Sequence, residues 1–165
     1  MDMTQNVWRA MEAGDIAGVA AISDAVHGRF TEPAEVYRER LSLYPGGCFV
    51  LEQDGALVGY LVSHPWTRRS SPELGQLIGS LPQPGETYYL HDLALLPAAR
   101  GTGAGRSGLD LVERGARAAG FADVTLTAVH GADSYWAARG FAYVDQDDGA
   151  AYGAGSHRMR KTLPG

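Results

Sequence analysis

The chain of 165 residues holds one cysteine, Cys48, and neither a Cys-x-x-Cys pair nor a cysteine–histidine cluster. An internal disulfide is therefore impossible, and a zinc site has no ligand set at the spacing such sites use, so no metal is expected. Cys48 lies in the apolar run Gly-Gly-Cys-Phe-Val-Leu and is expected to be a small core residue, not a nucleophile. No run of 18 apolar residues occurs, and the first fifteen residues lack the apolar segment of a signal peptide. A cytoplasmic protein that does not engage a membrane is the expectation. There is no basic stripe either. The net charge is −5 and the pI near 5.4, which argues against nucleic acid as a partner. A mildly acidic balance serves solubility first, and it also suits a cationic small molecule.

Hydrophobic residues make up 45% and charged residues 20%, the balance of a globular chain, and the length fits a single domain over 1–165. Glycine is abundant at 22. Hydrophobic spacing predicts a short edge strand at Val7–Ala10. A helix follows, with Asp15 as N-cap and Gly28 as its stop. A second helix is expected with Thr31 as its cap, Pro33 in its first turn and the 45–47 Pro-Gly-Gly run as its end. Cys48–Glu52 and Ala56–Ser63 flank Asp54-Gly55, a strong hairpin signal, and Pro65 is expected to close the second of these strands. Residues 66–86 read as a long connection with a short helix at 72–79. Such a loop either lines a site or is a solvated excursion. The Thr-Arg-Arg-Ser-Ser run 67–71 inside it reads as solvated charge. A central strand is expected over 87–96, then a glycine-rich turn, a helix stopped by Gly120 and a strand at 122–129. A short helix ended by Gly140, a strand at 141–145, an acidic turn and a last strand at 157–163 complete the chain. His64, Trp66, His130 and His157 read as surface or structural residues.

Residues 95–110, Leu-Leu-Pro-Ala-Ala-Arg-Gly-Thr-Gly-Ala-Gly-Arg-Ser-Gly-Leu-Asp, place four glycines in eight positions just before an amphipathic helix. Three readings compete. Gly103, Gly105 and Gly108 fit a dinucleotide fingerprint, with Asp123 as its acidic residue. That motif, however, belongs directly after the first strand of a longer series of βαβ units. The glycines also suit a purely structural turn, through positive φ and close packing. The third reading is a diphosphate cradle, in which bare backbone N–H groups and a helix N-terminus converge on an anion, with Arg100 and Arg106 as flanking cations. No Lys-Ser/Thr pair follows the glycines, so this is not a nucleoside-triphosphate P-loop.

The stretch 88–121, from Tyr-Tyr-Leu-His-Asp through the glycine loop to Ala-Ala-Gly-Phe, resembles motif A of the Gcn5-related N-acetyltransferase (GNAT) superfamily. Arg100, Gly103 and Gly105 match its Arg-x-x-Gly-x-Gly signature. Residues 134–144, Ser-Tyr-Trp-Ala-Ala-Arg-Gly-Phe-Ala-Tyr-Val, resemble its motif B. The predicted order β-α-α-β-β-β-α-β-α-β-β is also the family's. The resemblance implies an α/β (α+β) fold in which helices flank a mixed, largely antiparallel and splayed sheet. It implies that acetyl-CoA is the co-substrate. Its pantetheine arm would lie between the strands at 89–96 and 122–129, on Leu93, Ala94 and Leu95, and Ser134 would contact it. Its diphosphate would rest on Gly101, Thr102, Gly103, Ala104, Gly105 and Arg106, beside Arg100.

The implied function is transfer of an acetyl group from acetyl-CoA to a primary amine by direct attack in a ternary complex. The acceptor would be a small molecule or a peptide, and a homodimer is possible. A non-catalytic acyl-CoA sensor is the alternative, as is an acyltransferase with another donor or a hydroxyl acceptor. An attacking amine must lose a proton, because a free ammonium has a pKa of about 10.4. His91 and Asp92 stand out in an apolar strand as base and partner, or else as a satisfied structural pair. Neighbours on a regular strand face opposite sides, so both reach one substrate only across a bulge. Where the family often has a tyrosine acid, this chain has Trp136. Tyr135, one residue earlier, is the candidate acid or else a core residue. The amide of Leu95 is the implied carbonyl-polarising donor.

Overall fold

The computed structural model describes residues 6–129, 131–144 and 156–164. Its elements are β1 (Asn6–Ala10), α1 (Ile16–His27), α2 (Ala34–Leu43), β2 (Cys48–Gln53), β3 (Ala56–Trp66), β4 (Thr87–Leu95), α3 (Ala104–Ala118), β5 (Asp123–Ala128), α4 (Asp133–Ala137), β6 (Ala142–Tyr143) and β7 (His157–Thr162). The order is the expected one. The strands form one sheet in the order β1-β2-β3-β4-β5-β7-β6, antiparallel throughout except for the parallel β4–β5 pair. The acidic turn expected after β6, His130 and the end of the strand expected at 141–145 lie outside the described residues.

The sheet buries both faces. On one, Val19 and Ile22 of α1 and Tyr37 of α2 meet Val50, Tyr60 and Val62. On the other, Leu109, Val112 and Ala116 of α3 meet Leu61, Tyr88, Leu90, Val124 and Leu126. The spacing of Leu109, Val112 and Ala116 puts them on one helical face, and burying such side chains contributes about 1.5–3 kcal/mol each. Asp54 (φ 52°) and Gly55 (φ 82°) make the β2–β3 turn with both residues left-handed, as a two-residue hairpin requires. Cys48 is buried in this core, and burial pushes its thiol up to about 12, away from nucleophilic use.

Several local expectations are corrected. Asp15 stands at the N-cap position of α1, as expected, but makes no side-chain capping bond there. Its carboxylate instead pairs with Arg9 at 2.8 Å and accepts the Glu12 N–H. Thr31 does not cap α2. Its hydroxyl donates to Asp24, and Pro33 occupies the cap position. Pro65 does not close β3, which runs on to Trp66 paired with β4. The β2 pairing ends at Val62, so Pro65 has an open edge on its other side and no ladder bond is lost. No helix forms at 72–79. The excursion is instead pinned to α2 and the loop before it. Glu39 accepts the Ile78 and Gly79 N–H groups, and Glu32 accepts that of Gly75, each at 2.8 Å. Arg68 and Arg69 are exposed, as expected of solvated charge, but Arg68 also has a partner. It donates to Asp123, which is fully buried and also holds Arg160 at 2.7 Å and the Thr87 hydroxyl. Asp123 is thus an ion-pair anchor at the start of β5.

Candidate active site

Strands β4 and β5 pair only over Tyr88–Leu90 and Val124–Leu126. Beyond Leu90 they part, leaving a gap flanked by Leu93 and Leu95 on one side. Leu96 donates its N–H to Val58 of β3, so the amide one residue earlier points to the other edge, into the gap. The Leu95 carbonyl is likewise turned from β3 and accepts Arg100 Nε at 3.1 Å.

At the mouth of this gap β4 carries a bulge. Val62 pairs with Asp92 and Ser63 with Leu90, so His91 is the extra residue. A bulge shifts the alternation of side chains by one. His91 and Asp92, which a regular strand would send to opposite faces, therefore both line one cavity of about 260 Å³. Its other walls come from α1 and the segment after it (Val26, His27, Phe30, Glu32), from Leu74 of the excursion, from β5, and from Ala132 and Trp136 around α4.

Two buried histidine–carboxylate pairs meet there. His91 Nε2 lies 2.6 Å from Glu32 Oε1, and Glu32 Oε2 accepts the Gly75 N–H at 2.8 Å. Burial alone would raise the Glu32 carboxyl, but the charge and hydrogen bond of His91 hold it below its usual range. An ionised carboxylate has no proton to give, so the shared hydrogen sits on Nε2. A neutral His91 then carries its lone pair on Nδ1. Nδ1 is buried and has no hydrogen-bond partner among the described residues. The second pair is His27 Nε2 with Asp92 Oδ1, at 2.7 Å. Asp92 Oδ2 accepts the hydroxyls of Tyr60 (2.6 Å) and Tyr37 (2.8 Å). Burial would raise the Asp92 carboxyl, yet His27 and these donors hold it down. Burial likewise disfavours charge on His27, and Asp92 overrides this and raises its pKa. Asp92 thus spends its oxygens on His27 and the tyrosines, and it makes no hydrogen bond to His91.

The glycine loop lies at the start of α3. Gly101 (φ 75°) and Gly103 (φ 87°) hold the left-handed backbone of the turn. A Cβ on Gly105 would collide with the Tyr135 hydroxyl, and one on Gly108 would come within 2.9 Å of Trp8 and 3.3 Å of Leu61 and Leu93. Each glycine of the run therefore has a backbone or packing reason, and the cradle reading does not rest on their number. It rests on the helix start. The N–H groups of Ala104, Gly105 and Arg106 have no partner within the helix. Among the described residues only that of Ala104 is met, by the Thr102 hydroxyl at 3.3 Å. Arg106 is exposed beside them.

Of the residues singled out from sequence, His91, Asp92 and Leu93 come together in the cavity, while Arg100 and residues 101–106 gather at the helix start beyond the gap. Ala94 is buried and packs toward α1. Tyr135 is not a cavity residue. Its ring stacks under Arg139 at 3.7 Å and its hydroxyl abuts Gly105. Ser134 is exposed and donates to the Gly131 carbonyl at 3.4 Å. Trp136, at the position where the family often has a tyrosine, lines the cavity. Sequence reasoning missed Glu32, His27, Tyr37 and Tyr60. Only Glu32 carries a local cue: it precedes Pro33, which favours extended backbone there and lets its side chain leave the helix line.

His64 is buried 6.1 Å from the His91 ring. Burial drives its pKa down to about 3, so it stays neutral. Among the described residues no group of three or more His, Cys, Asp or Glu side chains is placed to hold a metal, and no helix is long and apolar enough to cross a membrane.

The sequence profile of the Acetyltransferase (GNAT) family matches residues 19–141, three quarters of the chain and the whole of the site just described. No curated protein matches by sequence. Among solved structures, the loading GNATL domain of CurA from Lyngbya majuscula superposes with a TM-score of 0.81 at 14% identity, covering 96% of this chain and 98% of that one. The GphF GNAT-like decarboxylase, solved with isobutyryl-CoA, gives 0.80 at 16% identity over 96% and 100%. The ribosomal-protein-S18-alanine N-acetyltransferase of Escherichia coli gives 0.67 at 16% identity over 98% and 97%. At such identities the likeness is one of fold.

Proposed function

The chain belongs to the GNAT acetyltransferase family, and from that premise we propose that it transfers an acetyl group from acetyl-CoA to a primary amine by direct attack in a ternary complex. The observation that carries the reading is the β4 bulge, which sets His91 at the mouth of the β4–β5 gap with Glu32 behind it. The chain's parts fit the coenzyme. The diphosphate rests on the first N–H groups of α3 between Arg100 and Arg106, where the helix dipole adds to the attraction. Leu93 and Leu95 offer a free strand edge to the pantetheine amides, with Ala94 between them turned into the core. The Leu95 N–H polarises the thioester carbonyl. Ser134 and Tyr135 belong, on this reading, with the coenzyme at the α4 side. Tyr135 contacts the diphosphate loop and not the reacting sulfur.

His91 Nδ1 accepts the proton that the amine must lose, and Glu32 holds the ring in the tautomer that leaves Nδ1 basic. Asp92 fixes the bulge through His27, Tyr37 and Tyr60. The amine nitrogen bonds to the acetyl carbon, the carbon–sulfur bond breaks, and the thiolate takes a proton from solvent or from His91. Atoms and charge balance without an acyl-enzyme. Neither Cys48 nor a Trp136 proton is needed.

Calorimetric titration with acetyl-CoA, with NAD as the control, tests the coenzyme half. Thiol release with an amine panel tests the transfer. Micromolar binding of acetyl-CoA alone, followed by amine-dependent thiol release, is the expected result. Binding without turnover on any amine would favour a sensor. No binding by a folded sample would make the family likeness architectural only.

A further inference from the structure

The cavity's polar inventory bears on the acceptor, and this step rests on the acetyl-transfer reading above. Among the described residues, the walls contain two carboxylates, Glu32 and Asp92. Every oxygen of both is engaged. Glu32 is held by His91 and the Gly75 N–H, and Asp92 by His27 and the hydroxyls of Tyr37 and Tyr60. Among the described residues no lysine or arginine lines the cavity, and His27 faces Asp92. The rest of the wall is mostly apolar, with Val26, Phe30, Leu74, Leu126, Val129 and Trp136, and the one hydroxyl among the described lining residues, that of Thr127, is bonded to Ser71 and Tyr89.

We infer that the acceptor is a compact monoamine with an uncharged apolar body, an alkylamine-like molecule. The structure points away from a polyamine, an aminoglycoside or an amino acid. A second ammonium inside the cavity would either stay unpaired or pull a carboxylate from its histidine. An acceptor carboxylate would meet Glu32 and Asp92 with no cation to answer it. Both arrangements bury a charge without a partner, which is costly. The reacting nitrogen escapes this penalty because it attacks as the neutral amine and passes its proton to His91. The apolar walls then favour carbon in the remainder of the molecule.

Three acceptors of one chain length isolate the charge: butylamine, 1,4-diaminobutane and 4-aminobutanoic acid. The expected kcat/KM for butylamine is at least about tenfold above either charged analogue, a difference of about 1.4 kcal/mol in transition-state binding. Leu74→Asp, which adds an unpaired carboxylate to the wall, is expected to narrow the gap between butylamine and the diamine while leaving acetyl-CoA affinity unchanged. Equal or better turnover of the diamine or the amino acid by the unaltered protein would overturn the inference and leave the acetyl-transfer reading standing. An unchanged ratio in Leu74→Asp would overturn it too, since the acceptor would then not lie against that wall. If none of the three releases thiol but another amine of the panel does, this inference fails and the acetyl-transfer reading stands; if acetyl-CoA binds and no amine at all releases thiol, that reading fails and carries this inference with it.

Discussion

Glu32→Gln is the substitution that separates a positioning role for Glu32 from a merely structural one. Glu32 accepts two N–H groups, His91 Nε2 at 2.6 Å and Gly75 at 2.8 Å. Glutamine has one carbonyl oxygen and one NH2, so it can satisfy only one of them. If the oxygen stays on His91, the NH2 faces the Gly75 N–H, donor against donor. If it turns to Gly75, its NH2 donates to His91 Nε2 and moves the ring proton to Nδ1, the atom needed as base. An unsatisfied buried donor costs about 1–3 kcal/mol. The variant also removes the negative charge beside the imidazolium formed on proton transfer. With charge centres about 4 Å apart and an effective dielectric near 20, that attraction is on the order of 4 kcal/mol as an upper bound. Turnover is therefore expected to fall by about tenfold or more, with acetyl-CoA affinity held within about twofold. The pH profile of kcat/KM is expected to change, because the ring has lost the carboxylate that fixes its tautomer. The assay is thiol release from pH 5.5 to 9, with thermal melting as the check on folding. The decisive arm is the double variant. If Glu32 acts through His91, then Glu32→Gln has no further effect on kcat in a His91→Ala background. Multiplicative losses in the double variant would refute the dyad, as would a single variant with an unmoved pH profile.

Gly103→Val places a β-branched side chain at φ 87°, where no neighbour lies within 4 Å, so its effect reports on the loop backbone alone. Acetyl-CoA affinity is expected to drop at least about tenfold in a protein that still melts cooperatively, and unchanged affinity would defeat the cradle. Gly108→Val drives its side chain into Trp8, Leu61 and Leu93, and is expected to cost about 1–3 kcal/mol in urea denaturation. His64 stays neutral in the fold down to about pH 3 but protonates near 6.5 when unfolded. Below pH 6.5 the unfolded state therefore binds the extra proton, and stability falls as the pH falls. From pH 6.5 to 4.5 this amounts to about 2 kcal/mol, a loss that His64→Phe should abolish in urea titrations at the two pH values.

The elements legible in the sequence were those whose determinants are local. The hairpin is carried by Asp54-Gly55, both of which the turn forces to positive φ, and α3 by a one-faced stripe ending at Gly120. Where a local expectation fell short, a residue with a strong local habit bonded elsewhere. The Asp15 carboxylate turned from the helix it caps by position to Arg9, the Thr31 hydroxyl turned to Asp24, and Arg68, still exposed, crossed to Asp123, 55 positions away. Pro65 escaped its breaker role because the neighbouring strand had already stopped. In each case, whether a charge or hydroxyl finds a better bond than its local one depends on where the sheet brings other chain segments, and a window of sequence carries no such record.

The site divides along the same line. Motif A is contiguous, so the helix start, its flanking arginines and the His91-Asp92 pair stand out from spacing alone. What makes that pair a device does not. The bulge is a one-residue offset between β3 and β4, visible only as Val62 against Asp92 and Ser63 against Leu90. It turns His91 toward Glu32, 59 positions earlier, and Asp92 toward His27, 65 positions earlier. Without the offset, one of the two side chains would face the opposite side of the sheet, and the two histidine–carboxylate pairs could not share a cavity. Sequence thus marks the candidate strand, while register sets His91 against Glu32 and leaves its Nδ1 without a hydrogen-bond partner among the described residues. Glu32, the partner of His91, sits in the α1–α2 connection, where only its place before Pro33 sets it apart from Glu35 and Glu39. Glu35 lies in the first turn of α2 and Glu39 pins Ile78 and Gly79 of the excursion. Three carboxylates within eight residues thus take three unrelated tasks, assigned by the packing of α2 against β4 and the excursion.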